Sequence, residues 1–251
     1  MRPILATRFP QVNVHNLLLT STPLDSLCFS LIGRCRLPRM AVTSSDALSV
    51  QQSTSPSRLA QGLWWFMLLS CIGVSGYAAS YFVAAPGDSH FAHYILPLRL
   101  HIAGGIGALL AGPWQFSARL RTRALNFHRW SGRFYLLEVL LGSVAGFAMA
   151  IVSKEGWPTH LGFGLLAVFW FATGLQAYRA IRRGEVDTHR RWMIRNFALT
   201  LAAVTLRNYL PLTLFAFHWP FRAAYIAVSW LCWVPNLLIA EYIVRRSAAG
   251  K

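Results

Sequence analysis

Charged residues are scarce in this chain, and acidic residues are the scarcest of them. Only 13% of the 251 residues are charged, and eight Asp and Glu stand against 24 Lys and Arg. Soluble domains carry about 25% charged residues, so the composition argues against an ordinary soluble enzyme. With 55% hydrophobic residues and a mean hydropathy of +0.42, it is typical of a multi-span membrane protein.

The sequence also lacks the short motifs of several catalytic and metal-binding classes. Its four Cys form no CxxC or CxxCH, and no HExxH occurs. A disulfide framework, a zinc ribbon, covalent c-type haem and a membrane hydrolase therefore find no support. The net charge of +16 does not indicate a nucleic-acid partner, because the basic residues fill short gaps between apolar runs and form no single basic face.

The first 58 residues differ in composition from the rest. They contain six Arg, many Ser and Thr and no long apolar run. We expect residues 1–58 to be a poorly ordered N-terminal segment without function. Two interpretations stay open: a targeting peptide, which is Arg-rich and acid-poor, or a misassigned start with Met40 as the true first residue. We favour the second.

Residues 59–251 contain six apolar runs, each close to the roughly 20 residues that cross a bilayer. Backbone groups in lipid must be satisfied within the segment, so we expect these runs to be helices. The sequence thus predicts an all-α polytopic membrane helix bundle in a lipid bilayer, with six transmembrane helices and a four-helix core formed by helices 2–5. The runs are Leu63–Val83, Leu100–Ala118, Phe134–Ser153, Thr159–Tyr178, Asn196–Phe217 and Ala223–Val244.

The distribution of arginine between the loops predicts the orientation. Residues 119–133 contain five Arg and residues 179–195 contain six, whereas the opposite loops hold only Arg99, Lys154 and Arg222 as basic residues. The positive-inside rule then places both termini in the cytoplasm. We expect a multi-pass protein of the inner (plasma) membrane.

Four histidines carry the functional prediction: His101, His128, His160 and His189, each near the start of one of four consecutive helices. Because alternate helices run in the same direction, His101 and His160 share the outer level, and His128 and His189 share the inner level. Two pairs at two depths suit two b-type haems, each with its iron between two imidazoles. Two alternatives remain: a single haem or metal ion, or a non-redox transporter or scaffold whose histidines line a polar cavity.

Basic residues near these levels are candidates to bind haem propionates. Arg133 and Arg195 lie near the inner pair in sequence. Arg207 lies 18 residues beyond His189, about 27 Å along a helix, and so reaches the outer level. An arginine inside the membrane usually has a function, and we expect Arg207 to serve an outer propionate or a bound anionic substrate. Asn126 and Asp187 precede two of the histidines and are N-cap candidates.

Several segments within residues 65–215 resemble a bacterial family of predicted membrane proteins that is known only as a domain of unknown function. The resemblance implies a membrane location and no particular activity. The segments are His101-Ile-Ala-Gly-Gly, Gly112-Pro-Trp-Gln-Phe, Leu125-Asn-Phe-His128-Arg-Trp, Ala177-Tyr-Arg-Ala-Ile-Arg-Arg-Gly, His189-Arg-Arg-Trp-Met-Ile-Arg and Thr205-Leu-Arg207.

The placement of the histidines is also similar to that of the six-helix, di-haem transmembrane cytochromes b, both ferric- and ascorbate-linked. That resemblance implies haem ligation by His101 with His160 and by His128 with His189. It further implies a transmembrane oxidoreductase that carries electrons between an unidentified donor and an unidentified acceptor. A homodimer stays open.

Overall fold

The computed structural model describes residues 58–83 and 93–249, and all regular structure in these ranges is helical. Six of the helices are long and apolar enough to cross a membrane. The predicted all-α polytopic bundle is confirmed, whereas the expectations for residues 1–57 lie outside the described residues. The six are α1 (Arg58–Val83), α2 (Ile95–Gln115), α3 (Leu125–Ile151), α4 (Trp157–Arg182), α5 (Val186–Ala216) and α6 (Phe221–Ala249).

Helices that follow one another in the chain pack side by side. The neighbouring pairs from α1 to α5 are in contact, and α6 packs on α4 and α5. One end of the bundle carries the short helix Ala118–Arg123 and the connection 183–185. We call it the arginine-rich end, because the basic segments 119–133 and 179–195 meet there. The opposite end carries the connections 152–156 and 217–220.

The backbones of α2 and α3 come close together where the two helices cross at Gly104 and Gly142. A Cβ built on Gly104 would come within 2.6 Å of the backbone of Gly142 and within 2.8 Å of the Glu138 carbonyl. Real Cβ atoms do not approach other atoms so closely, so only glycine fits at position 104. Small residues at membrane helix interfaces allow this backbone contact, which packing forces then stabilise.

Both C-terminal helices are interrupted near a proline. In α5, the helix Val186–Thr200 is followed by Ala202–Pro211 and by a π-helical turn at Leu212–Ala216. In α6, Phe221–Leu231 and Val234–Ala249 are separate helices, and Pro235 stands just after the break. Proline has no N–H to donate and collides with the preceding turn, so a backbone carbonyl is left over at each site.

Polar side chains satisfy the backbone at the α6 break. The Cys232 carbonyl accepts hydrogen bonds from the Thr205 hydroxyl and from Nδ2 of Asn236, the latter at 3.0 Å. Nδ2 of Asn236 also donates to the Ala198 carbonyl of α5 at 3.3 Å. The carbonyl that Pro235 itself leaves without a helical N–H is that of Leu231, four residues earlier, and the bonds to the next carbonyl, that of Cys232, tie the break to α5.

α5 begins at Val186, ahead of the apolar run that starts at Asn196, so His189 lies near the start of its helix. The expected N-caps of α3 and α5 are wrong. Asn126 and Asp187 are not N-caps: they are the second residues of α3 and α5, whose caps are Ala124 and Glu185. Glu185 is itself held by Arg183 through a 2.6 Å hydrogen bond, which lowers the pKa of the Glu185 carboxyl.

Candidate functional site

His128 and His189 lie together at the arginine-rich end. His128 is the fourth residue of α3, and His189 is the fourth residue of α5. Both rings are half-buried, and each lies two helical turns before one member of a hydrogen-bonded pair, Tyr135 on α3 and Asn196 on α5, whose side chains are 2.6 Å apart. The structure therefore brings together the two histidines that the sequence places at one level.

Hydrogen bonding leaves a free ring nitrogen on each of these histidines. Nδ1 of His189 lies 2.8 Å from the Ala177 carbonyl of α4. Because a carbonyl only accepts, Nδ1 carries the hydrogen, and in the neutral ring the lone pair belongs to Nε2. Nδ1 of His128 is buried and has no hydrogen-bond partner among residues 58–83 and 93–249. Metal-ligating histidines usually donate their other N–H to a carbonyl or carboxylate, as His189 does.

His101 repeats this arrangement in the other half of the bundle. Its Nδ1 lies 2.9 Å from the Gly142 carbonyl of α3, so the same argument assigns the lone pair of the neutral ring to Nε2. The ring rests on Gly146, where a Cβ would come within 2.7 Å of Nδ1. Gly142 and Gly146 thus fix the orientation of the imidazole, which lines a cavity between the helices.

His160 is held differently from its expected partner. It is the fourth residue of α4, and its Nε2 lies 2.6 Å from the Ser153 carbonyl. Nε2 therefore carries the hydrogen, and Nδ1 has the lone pair in the neutral ring. Although Ser153 lines the cavity that His101 faces, His160 is not one of the residues that line it. The structure does not bring these two histidines to a common cavity.

The cavity beside His101 has a volume of about 440 Å³ and is mainly apolar. Arg207 also lines it and lies near His101, since their charges interact. The guanidinium donates to the Ala203 carbonyl at 3.2 Å and lies 5.8 Å from the centre of the Tyr77 ring. Its Nε is buried and has no hydrogen-bond partner in the described part of the chain.

The other two predicted arginines are engaged within the protein. Arg195 forms an ion pair with Glu241 of α6 at 2.8 Å and lies over the Trp192 ring at 4.8 Å. Arg133 is exposed and lies over the Trp130 ring at 4.9 Å. The sequence did not predict the ion pair, because it joins residues 46 positions apart.

A buried polar cluster, absent from our predictions, links three helices between the two histidine levels. The Tyr135 hydroxyl donates to Oδ1 of Asn196 at 2.6 Å and is hydrogen-bonded to the Thr200 hydroxyl at 2.9 Å. Nε1 of Trp170 donates to the Thr200 hydroxyl at 2.9 Å. Nδ2 of Asn196 donates to the Trp170 carbonyl at 2.7 Å and to the Thr173 hydroxyl at 2.9 Å.

The spacing of the polar residues from the histidines is a sequence signal that could have predicted this cluster. Tyr135 lies seven residues after His128, and Asn196 lies seven residues after His189. Seven residues are two helical turns, so each polar residue shares a helix face with its histidine. The cluster also reaches the cavity, because Trp170 and Thr200 line it.

No group of three or more His, Cys, Asp or Glu side chains is placed to hold a metal ion within residues 58–83 and 93–249.

One family model, described as "Predicted membrane protein (DUF2306)", matches residues 98–244. The match covers more than half of the chain and includes all four histidines and the three arginines discussed above. A comparison with curated proteins and another with solved structures gave no match.

Proposed function

The chain belongs to this family of predicted membrane proteins and is an integral membrane protein with six spans; from that premise, we propose that it is a b-type haem protein that carries electrons across the bilayer. The observation that carries the proposal is the pair formed by His128 and His189. Each lies two helical turns before one partner of the Tyr135–Asn196 hydrogen bond. One ring has its Nδ1 held by a carbonyl, and the other has a buried nitrogen without a partner among the described residues.

The residues present fit the requirements of a haem iron at this pair. Such an iron needs two neutral imidazoles that each offer a lone pair, and His128 and His189 can supply them. When bound, haem b would supply one-electron chemistry, while the protein supplies the ligands, their orientation and the surrounding charge. Positive charge is available there, since Arg121 and Arg129 interact electrostatically with His128. Burial, with the neighbouring charge of Arg190, lowers the pKa of the Arg121 guanidinium.

Arg133 and Arg195 are the propionate partners predicted from sequence for this inner site. Among the described residues, the exposed Arg133 is engaged by its stacking on Trp130 and by no ion pair. Arg195 must share its guanidinium between a propionate and Glu241. We therefore propose Arg133 as the stronger of the two partners.

A second haem between His101 and His160 stays a prediction. His101 fits it, because its Nε2 is free and its ring lines a cavity. His160 fits it less well, because it lies outside that lining and donates to Ser153.

One observation favours a second candidate function, a non-redox transporter or scaffold. His101 shares its cavity with Arg207 and an apolar lining, and not with the histidine that would complete an iron site. A cavity of this kind can hold a small molecule without any metal.

We also propose that the arginine-rich end faces the cytoplasm, with the protein in the inner membrane of the cell. This orientation follows the positive-inside rule. It would place His128 and His189 beside a cytoplasmic electron donor or acceptor.

An optical spectrum of the purified full chain from haem-replete cells tests the proposal. We expect a Soret band that shifts on reduction, and at least one haem per chain. The His189→Ala variant should lose a haem, whereas His218→Asn should keep it. His218 is a suitable control because it lies in the connection 217–220, and its φ of 52° is a conformation that asparagine accepts. A colourless wild-type protein would refute the haem proposal.

A further inference from the structure

The cavity beside His101 has the dimensions of a ligand site. Its volume of about 440 Å³ falls within the range of roughly 300–1,000 Å³ that is usual for small-molecule pockets. Apolar side chains from several helices form most of its wall, among them Met149, Phe163, Leu166 and Leu206. An apolar wall inside a membrane selects little by itself, because lipid tails are equally apolar. Selectivity must therefore come from the polar groups.

Arg207 is the polar group with unused binding capacity. Its guanidinium has five N–H donors, yet its hydrogen bonds and ring contact within the described chain are one bond to Ala203 and the Tyr77 ring. No ion pair joins it to any Asp or Glu of residues 58–83 and 93–249. The buried Nε has no partner at all there. A half-buried cation without an anion is costly where it has lost part of its contact with water, and an anionic ligand would reduce that cost.

Arg207 defines which way an anionic ligand would lie. Lys154 and Glu155 also line the cavity, and both belong to the connection 152–156 at the end of the bundle. Their charges are opposite, so that end offers an anionic head no net positive charge, whereas Arg207 does. The head is therefore directed to Arg207, and the apolar part of the ligand lies along the wall.

We propose that this cavity binds an amphiphile with one carboxylate head and an apolar tail, and that Arg207 binds the carboxylate. Guanidinium and carboxylate match in shape and form paired, charge-assisted hydrogen bonds. The proposal goes beyond haem binding at His128 and His189 and does not require it. It does compete with a second haem at His101, because both would use the same space.

Quenching of tryptophan fluorescence by brominated dodecanoate can test this proposal. Trp170 lines the cavity, so a bromine atom on the tail of a bound molecule would quench it. The full chain in detergent is titrated with brominated dodecanoate and, as a matched neutral probe, with brominated dodecanol. We expect saturable quenching by the acid at concentrations at least about tenfold lower than by the alcohol, since a hydrogen bond to a charged group contributes that much or more.

Two variants separate the role of Arg207 from general effects of charge. Arg207→Gln should weaken dodecanoate binding by about tenfold or more. Arg222→Gln should leave it unchanged, because Arg222 is exposed at the start of α6 and does not line the cavity. Arg207→Lys, which keeps the charge without the planar fork, should give intermediate binding. It also covers the case in which the Gln variant fails to fold.

Three results would overturn the inference. Equal quenching by acid and alcohol would show that the head group is not recognised. Unchanged dodecanoate binding in both Arg207 variants would show that Arg207 does not bind the carboxylate. Two haems per chain, together with no dodecanoate binding, would assign the cavity to the second haem. None of these results contradicts the haem proposal for His128 and His189, and a chain without haem that still binds dodecanoate through Arg207 would refute that proposal alone.

Discussion

Removing one hydroxyl from the buried polar cluster should measurably destabilise the protein. In Tyr135→Phe, the ring and its packing remain, but two hydrogen bonds disappear: the 2.6 Å bond to Asn196 and the 2.9 Å bond to Thr200. Oδ1 of Asn196 then loses its donor. Both residues are buried, so water cannot easily replace the lost hydroxyl.

The expected loss follows from the number of bonds and their surroundings. Hydrogen bonds between membrane helices contribute about 0.6 kcal/mol on average and up to about 1.7. Two such bonds, one of which leaves a buried acceptor unpaired, give a loss of about 1–2 kcal/mol in the free energy of unfolding. For a domain of this size, 1 kcal/mol corresponds to about 2–4 °C in Tm, so Tm should fall by about 2–8 °C.

Thermal unfolding in detergent, followed by circular dichroism, measures this loss. Tyr77→Phe is the matched control, because Tyr77 is 58% exposed and its hydroxyl makes one long contact of 3.4 Å with Tyr81. We expect no change in its Tm. If Tyr135→Phe also unfolds at the wild-type temperature, the cluster does not hold α3, α4 and α5 together, and our account of the bundle centre is wrong.

Two further predictions concern the seat of His101 and the orientation of the bundle. Gly146→Ala should lower the free energy of unfolding by about 1–2 kcal/mol, because the new Cβ meets the His101 ring; Gly73→Ala, where nothing lies within 4 Å, should not, and equal stability of the two variants would contradict the packing described. In a background with its four Cys replaced by Ser, an impermeant maleimide applied to spheroplasts should label Lys154→Cys but not Arg123→Cys; the reverse pattern would invert the proposed topology.

The sequence predicts the spans because the signal is local. Six runs of about 20 apolar residues are enough to place six helices, and only the ends differ. The fifth helix begins ten residues earlier than its apolar run, at Val186. A helix can extend beyond its apolar residues, so hydropathy alone does not mark its first residue. The N-cap of this helix was predicted wrongly. Glu185 and Asp187 are both acidic and lie two residues apart, and the cap is Glu185.

The site could be predicted only to the level of which residues lie at which end. The spacing of the histidines gives their depth, but each ring orientation depends on a distant carbonyl: Gly142 for His101 and Ala177 for His189. Those contacts arise from the packing of α2 on α3 and of α4 on α5. The spacing also gives no sign of the bond between His160 and the Ser153 carbonyl, because that bond depends on the shape of the connection 152–156.

The break in α6 separates a half that lines the cavity from a half that is paired with Arg195. Phe221 and Tyr225 on the first half form part of the cavity wall, while Glu241 on the second half is tied to Arg195. At the junction of the two halves, the Cys232 carbonyl accepts hydrogen bonds from Thr205 of α5 and from Asn236. The fifth helix therefore braces α6 at two heights, once beside the cavity wall and once at the Arg195–Glu241 ion pair.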